Sequence, residues 1–221
     1  MFLHQHPYPP FIPERTTKLI VGTLPPPRFS QGALAPNDVD FCYGSGKGQL
    51  WIILDKIFTL NLTYKPTKKA IKQRKDFLRQ HRIGICDIVE SCKRQKIDAS
   101  DLGMQDIKLR NLVGYLKQYP SIHTLLFMGG NSKNGPEYFF RKHLKEYGLQ
   151  LETISDKTPK IHQFRLNRRI IKTISLTSPS GSANRAIGSN SEYKLAKQQN
   201  PDFTTIDFRI LQYKKYFGAG G

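Results

Sequence analysis

Apolar positions along this chain alternate between short continuous runs and longer stripes spaced three to four residues apart. The run Lys18-Leu19-Ile20-Val21, ending in Gly22-Thr23, predicts a strand over 18–23. Similar runs predict strands over 83–89 (Ile83-Gly84-Ile85-Cys86-Asp87-Ile88-Val89), 123–128 and 169–176, with a shorter one over 150–153. Continuous rather than alternating apolar runs are what parallel strands require when both faces are covered. Between them lie helical stripes. Leu50, Ile53, Leu54, Ile57 and Phe58 predict a helix from Gln49 onward, and Ala70, Ile71, Phe77 and Leu78 predict one over 67–81. Ile107, Leu109, Leu112, Val113 and Leu116 predict a helix stopping near Pro120. Further helices are expected over 136–147, 190–198 and 205–216, with a turn over 98–101 and a frayed tail over 218–221.

This order predicts an α/β protein, a three-layer α/β/α sandwich with a central, mostly parallel four-stranded sheet. Residues 1–17 contain Pro7, Pro9, Pro10 and Pro13 and predict an extended arm, with a single domain over 18–217. Right-handed crossovers place the loops 24–48, 87–92, 129–131 and 177–185 along one edge of the sheet. Loops at the carboxyl ends of parallel strands are where ligands bind in such sheets.

Charge changes the picture most. Lys and Arg number 35 against 17 Asp and Glu, a formal net charge of +18 that points to a polyanion, with DNA first. The cations cluster in one stretch from Lys65 to Arg82 and another from Lys157 to Lys172. A solvated helix face rich in lysine is the plainer reading of the first stretch alone. No run of about 18 apolar residues predicts a membrane span. The amino-terminal residues lack the pattern of a secretory signal, so a cytoplasmic (nucleoid-associated) or nuclear protein that is not secreted is expected. Cys42, Cys86 and Cys92 lack metal-site spacing, so reduced thiols, no metal and no cofactor are expected.

Four motifs in order resemble the uracil-DNA glycosylase superfamily, in particular its mismatch-specific uracil and hypoxanthine-DNA glycosylase-like branch. They are Gly22-Thr23-Leu24-Pro25, Phe41-Cys42-Tyr43-Gly44 leading to Gln49-Leu50-Trp51, the run from Gly84 to Arg94, and Ser178-Pro179-Ser180. The resemblance covers about residues 17–185. It implies a monomeric protein that acts in base excision repair on damaged or single-stranded DNA. A deaminated base, uracil or hypoxanthine, would be flipped out and excised by N-glycosidic hydrolysis.

On that reading Gly22, Thr23, Pro25, Phe41, Tyr43 and Gln49 would bind the base, with Tyr43 or Phe41 as the stacking platform. Both aromatics could instead fill the core. Asp87 and Ser178 would serve the chemistry. Asp87 is a carboxylate in an apolar run that reads an N–H edge, serves a water, or caps the next turn, and Ser178 bonds the base carbonyl or simply ends a strand. Ser180, Gly181, Asn184 and Arg185 would hold the DNA. The chain departs from the superfamily pattern at two positions where relatives carry water-activating groups, here Leu24 and Gly48. Gln49 cannot act as a base, and Asp38 or Asp40 could substitute only if its loop folds over the pocket. A catalytically inactive nucleic-acid-binding protein of the same fold is therefore the alternative. A small-molecule hydrolase is a weaker one, because it leaves the charge unexplained.

Overall fold

The computed structural model describes residues 1–97 and 100–218. Asp98 and Ala99 of the expected turn and residues 219–221 of the expected tail lie outside them. The strands are β1 (Phe2–Gln5), β2 (Lys18–Val21), β3 (Ile83–Ile85), β4 (Val89–Arg94), β5 (Gln105–Leu109), β6 (Thr124–Phe127), β7 (Glu152–Ser155), β8 (Lys160–Leu166) and β9 (Arg169–Ser175). The helices are α1 (Pro27–Ser30), α2 (Leu50–Phe58), α3 (Lys68–Gln80), α4 (Leu112–Gln118), α5 (Pro136–Lys145), α6 (Asn184–Gly188), α7 (Ser191–Gln199) and α8 (Thr205–Phe217).

Among the described residues, the main sheet runs β3-β2-β6-β9-β8-β7. Its first four strands are parallel, and β8 and β7 extend it antiparallel beyond β9. Pleating sends Ile20, Leu126 and Ile174 to one face, where they pack with α2, α3 and α8. Leu19, Val21, Leu125 and Phe127 go to the other face, against α4 and α5. Both faces are covered, which explains the unbroken apolar runs. The result is the three-layer sandwich expected.

The main sheet has six strands instead of the expected four, because 157–172 contains β8, whose buried His162, Phe164 and Leu166 alternate with polar residues. The run 83–89 also divides. The Cys86 and Ile88 amides still bond the carbonyls of Ile20 and Gly22. Beyond them the chain turns into β4, the centre of a second, antiparallel sheet ordered β1-β4-β5. The helix expected through Ile107 begins only at Leu112, where the Asn111 side chain caps the Gly114 amide. Ile107 and Leu109 belong to β5, separated by Lys108 in the two-residue period of a strand. In the amino-terminal segment, β1 pairs with β4 and Phe11 bridges Ile85.

Candidate functional site

A cavity of about 680 Å³ opens at the carboxyl edge of the parallel strands. Its walls come from the turns after β2, α1, the loop into α2, the β3–β4 and β4–β5 connections, and the loop after β9. Gly22, Thr23, Leu24, Pro25, Tyr43, Gly48, Asp87, Ser178 and Ser180 all line it, although they span most of the chain. The four motifs read from the sequence thus meet in one place.

The β2 turn and Tyr43 are fitted to each other. A Cβ placed on Gly22 would stand 1.9 Å from the Tyr43 hydroxyl and 2.8 Å from Asp87 Oδ1, so only glycine permits the contact. Tyr43 sits at φ +58°, a left-handed conformation costly for a bulky residue. The surrounding turn holds it there: Gly44 N–H donates to Phe41 O, Val39 N–H to Gly44 O, and the Trp51 indole to Cys42 O.

Asp87 is placed at the cavity wall, but both of its oxygens are engaged. Oδ1 accepts from the Gly22 amide at 2.9 Å and the Tyr43 hydroxyl at 3.2 Å. Oδ2 lies 3.1 Å from His6 Nε2. The Tyr8 amide donates to His6 Nδ1, which leaves Nε2 as the N–H that faces the carboxylate. Burial, then the Asp87 charge, pushes the Tyr43 phenol well above its ordinary range.

Not every candidate reaches the cavity. Phe41 is buried in an aromatic cluster with Tyr8, Phe11 and Trp51, so it is core and not a platform. Gln49 does not line the cavity either: its amide donates to the Pro179 carbonyl and ties α2 to the loop after β9. Asn184 is turned inward, its Oδ1 accepting from Arg209 and from the Thr205 hydroxyl. Gly181 and Arg185 are exposed beside the Ser180 turn and do not line the cavity. Asp38 and Asp40 are occupied elsewhere. Asp38 forms a two-point pair with Arg28 and accepts from the Ala35 and Gly46 amides, while Asp40 accepts from Tyr8. The Arg28 pairing and these amides hold the Asp38 carboxyl down to about 2.

Two groups had no sequence signal. Asp101 opens the short 3₁₀ turn Asp101–Gly103 and lines the cavity. Its Oδ1 accepts from the Thr23 hydroxyl at 2.7 Å, and its carbonyl accepts from the Asn134 side chain at 2.9 Å. Burial is the main cause that raises its carboxyl above the ordinary value, and the Asp87 charge adds to it. Arg209 of α8 is fully buried and fastens the Ser178 loop. Its guanidinium donates to the carbonyls of Ser178 at 2.9 Å and Ser180 at 2.8 Å. Gln212 accepts the Thr177 amide, and Tyr213 donates to the Thr177 carbonyl. These residues recur at helical spacing, so one face of α8 grips the loop.

The charge is less uniformly external than the sequence suggests. Arg74 is buried against Trp51 and Tyr64, donating to the carbonyls of Thr63 and Ala70. Arg169 begins β9 and bonds the carbonyls of Leu116, Pro120 and Ile122. That is the opposite end of the strand from Ser175, about 20 Å away at strand rise. At the cavity itself the cations are Arg28 and Lys47. Among the described residues, no group of three or more His, Cys, Asp or Glu side chains is placed to hold a metal ion.

No protein-family model matches the sequence, and none of the curated proteins matches it. Among solved structures, the chain is similar to a solution NMR structure from Methanosarcina acetivorans described as a "putative Uracil DNA glycosylase". Identity is 16%, the TM-score is 0.54, and the match covers 94% of this chain and 99% of the other. At that identity the likeness shows the fold alone: the two chains share the α/β sandwich.

Proposed function

We propose that this chain binds DNA, receives an everted deaminated base in the cavity, and hydrolyses its N-glycosidic bond. Uracil and hypoxanthine are the bases in question. The observation that carries this reading is the cavity, in which Gly22, Pro25, Tyr43 and Ser178 converge from separate loops. Its volume of about 680 Å³ falls within the range of small-ligand sites. Tyr43 offers a ring, Ser178 a hydroxyl, and Lys47 a cation at the rim, where Arg28 is paired with Asp38. The formal net charge of +18 suits a phosphate backbone. The likeness in fold to the archaeal protein adds to this reading.

The test is incubation of the full chain, in excess, with duplex and single-stranded oligonucleotides carrying uracil, hypoxanthine or xanthine, followed by alkali. Alkali-dependent scission at the modified base is expected. Intact strands with every substrate overturn the activity. Scission before alkali replaces simple hydrolysis with a lyase reaction through a lysine, for which Lys47 lines the cavity.

Leu24 and Gly48 favour a second reading, a binding protein without turnover. Both line the cavity and neither offers acid–base chemistry. That reading expects salt-sensitive binding to the same oligonucleotides and no base release.

A further inference from the structure

Two carboxylates line the cavity, and their surroundings set them apart. Asp87 already receives three donors: the Gly22 amide, the Tyr43 hydroxyl and His6 Nε2. It braces the wall. Asp101 receives one, the Thr23 hydroxyl on Oδ1, and its Oδ2 makes no hydrogen bond among the described residues. Thr23 directly follows Gly22, so the same turn that feeds Asp87 through its backbone orients Asp101 through its side chain. The Asn134 side chain fixes the Asp101 backbone from the β6–α5 loop. The outcome is a carboxylate with a fixed backbone, one oriented oxygen and one oxygen left for a reactant.

We infer that Asp101 takes the proton of the water that attacks the sugar, a role that rests on the glycosylase reading above. In that step the water oxygen forms a bond to C1′ as the C1′–N bond breaks. The bonding pair leaves with the base, one water proton passes to Asp101 Oδ2, and solvent protonates the departing base. The carboxylate charge also faces the positive charge that develops on the sugar ring. Thr23 is the positioning residue. The buried setting of Asp101 moves its carboxyl toward the working pH, which improves a general base. The sequence offers no acid–base group at Leu24 or Gly48, and this placement supplies one from a different loop.

The experiment compares wild type with Asp101→Asn under single-turnover conditions. It also measures binding to an oligonucleotide carrying a cationic pyrrolidine in place of the target sugar, against one carrying neutral tetrahydrofuran. Asp101→Asn is expected to lower the rate by about 10²–10³-fold. It should erase the preference for the cation while leaving tetrahydrofuran affinity intact, which also certifies the fold. Thr23→Val should lose about tenfold in rate, short of the effect of losing the base itself. An active wild type whose Asp101→Asn variant keeps its rate, or keeps its preference for the cation, overturns the assignment of Asp101 alone. A wild type that releases no base overturns the glycosylase reading, and the proton transfer with it.

Discussion

His6 Nε2 lies 3.1 Å from Asp87 Oδ2, although 81 positions separate the two residues in the chain. Through this bond the proline-rich amino-terminal segment becomes part of the cavity's backing. Both side chains are buried, so removing one leaves the other short of a partner. His6→Ala is expected to cost about 1–3 kcal/mol, read by urea unfolding. Unchanged stability would place the pair outside the stabilising network.

Gly22 and Tyr43 form a second such relationship. Gly22→Ala drives its new methyl into the Tyr43 hydroxyl, the nearest atom at 1.9 Å. The ring must move and its bond to Asp87 must break. Tyr43→Phe removes the worst clash, leaving Asp87 Oδ1 at 2.8 Å and the ring carbon at 3.0 Å. The double variant should therefore lose less stability than the sum of the singles, with a coupling of about 1 kcal/mol. Strict additivity in a double-mutant cycle would contradict the packing described.

Arg209→Met removes a buried guanidinium that serves four acceptors: Ser178 O, Ser180 O, Thr205 O and Asn184 Oδ1. Left unsatisfied, these groups are expected to cost about 2–4 kcal/mol in total. Hydrogen exchange should speed up most in the Ser178–Ser180 segment, and affinity for DNA should fall. Unchanged exchange there would deny α8 its role in setting the loop.

Acid should loosen the amino-terminal sheet before the core. His4 is buried, accepts from Arg94 Nε, and is pulled down to about 4, first by burial and then by Arg94 and His6. Its folded value lies below the unfolded one of 6.5, so the unfolded chain binds the proton first. Stability present above about pH 6.5 is therefore lost as pH falls toward 4, by up to about 3 kcal/mol. Asp38 acts lower, because its folded value of about 2 lies beneath 3.8. Its contribution is present above about pH 4 and is lost toward pH 2, by about 2 kcal/mol. Thermal melts from pH 8 to pH 2 check both windows, and His4→Gln should flatten the upper one.

The strands β2 and β6 were legible because helices cover both sheet faces and leave their apolar runs unbroken, and β9 was legible from its β-branched residues although Ile170 and Lys172 are exposed. β8 was not, since Gln163 and Arg165 interrupt its buried positions. The departure of the chain after Ile85 was also hidden: Cys86, Ile88 and Val89 are as apolar as a continuing strand, and only the pairing of β4 with β1 and β5 reveals the turn. At the site, Gly22, Pro25 and Ser178 could be read because small or rigid residues mark strand-end turns, whereas Tyr43 was reached through the motif resemblance. Phe41 differs from Tyr43 only in which way the turn directs it, a difference composition does not encode. Asp101 and Arg209 depend on partners 78 and 31 positions away, Thr23 and Ser178, and no local pattern announces either pairing.

The most direct measurement is a crystal structure of the chain bound to an oligonucleotide bearing 2′-fluoro-deoxyuridine, which resists hydrolysis. The base should lie in the cavity against Tyr43, with Ser178 at its edge and C1′ facing Asp101. A base left stacked in the helix, with the DNA bound on another face, would contradict the account.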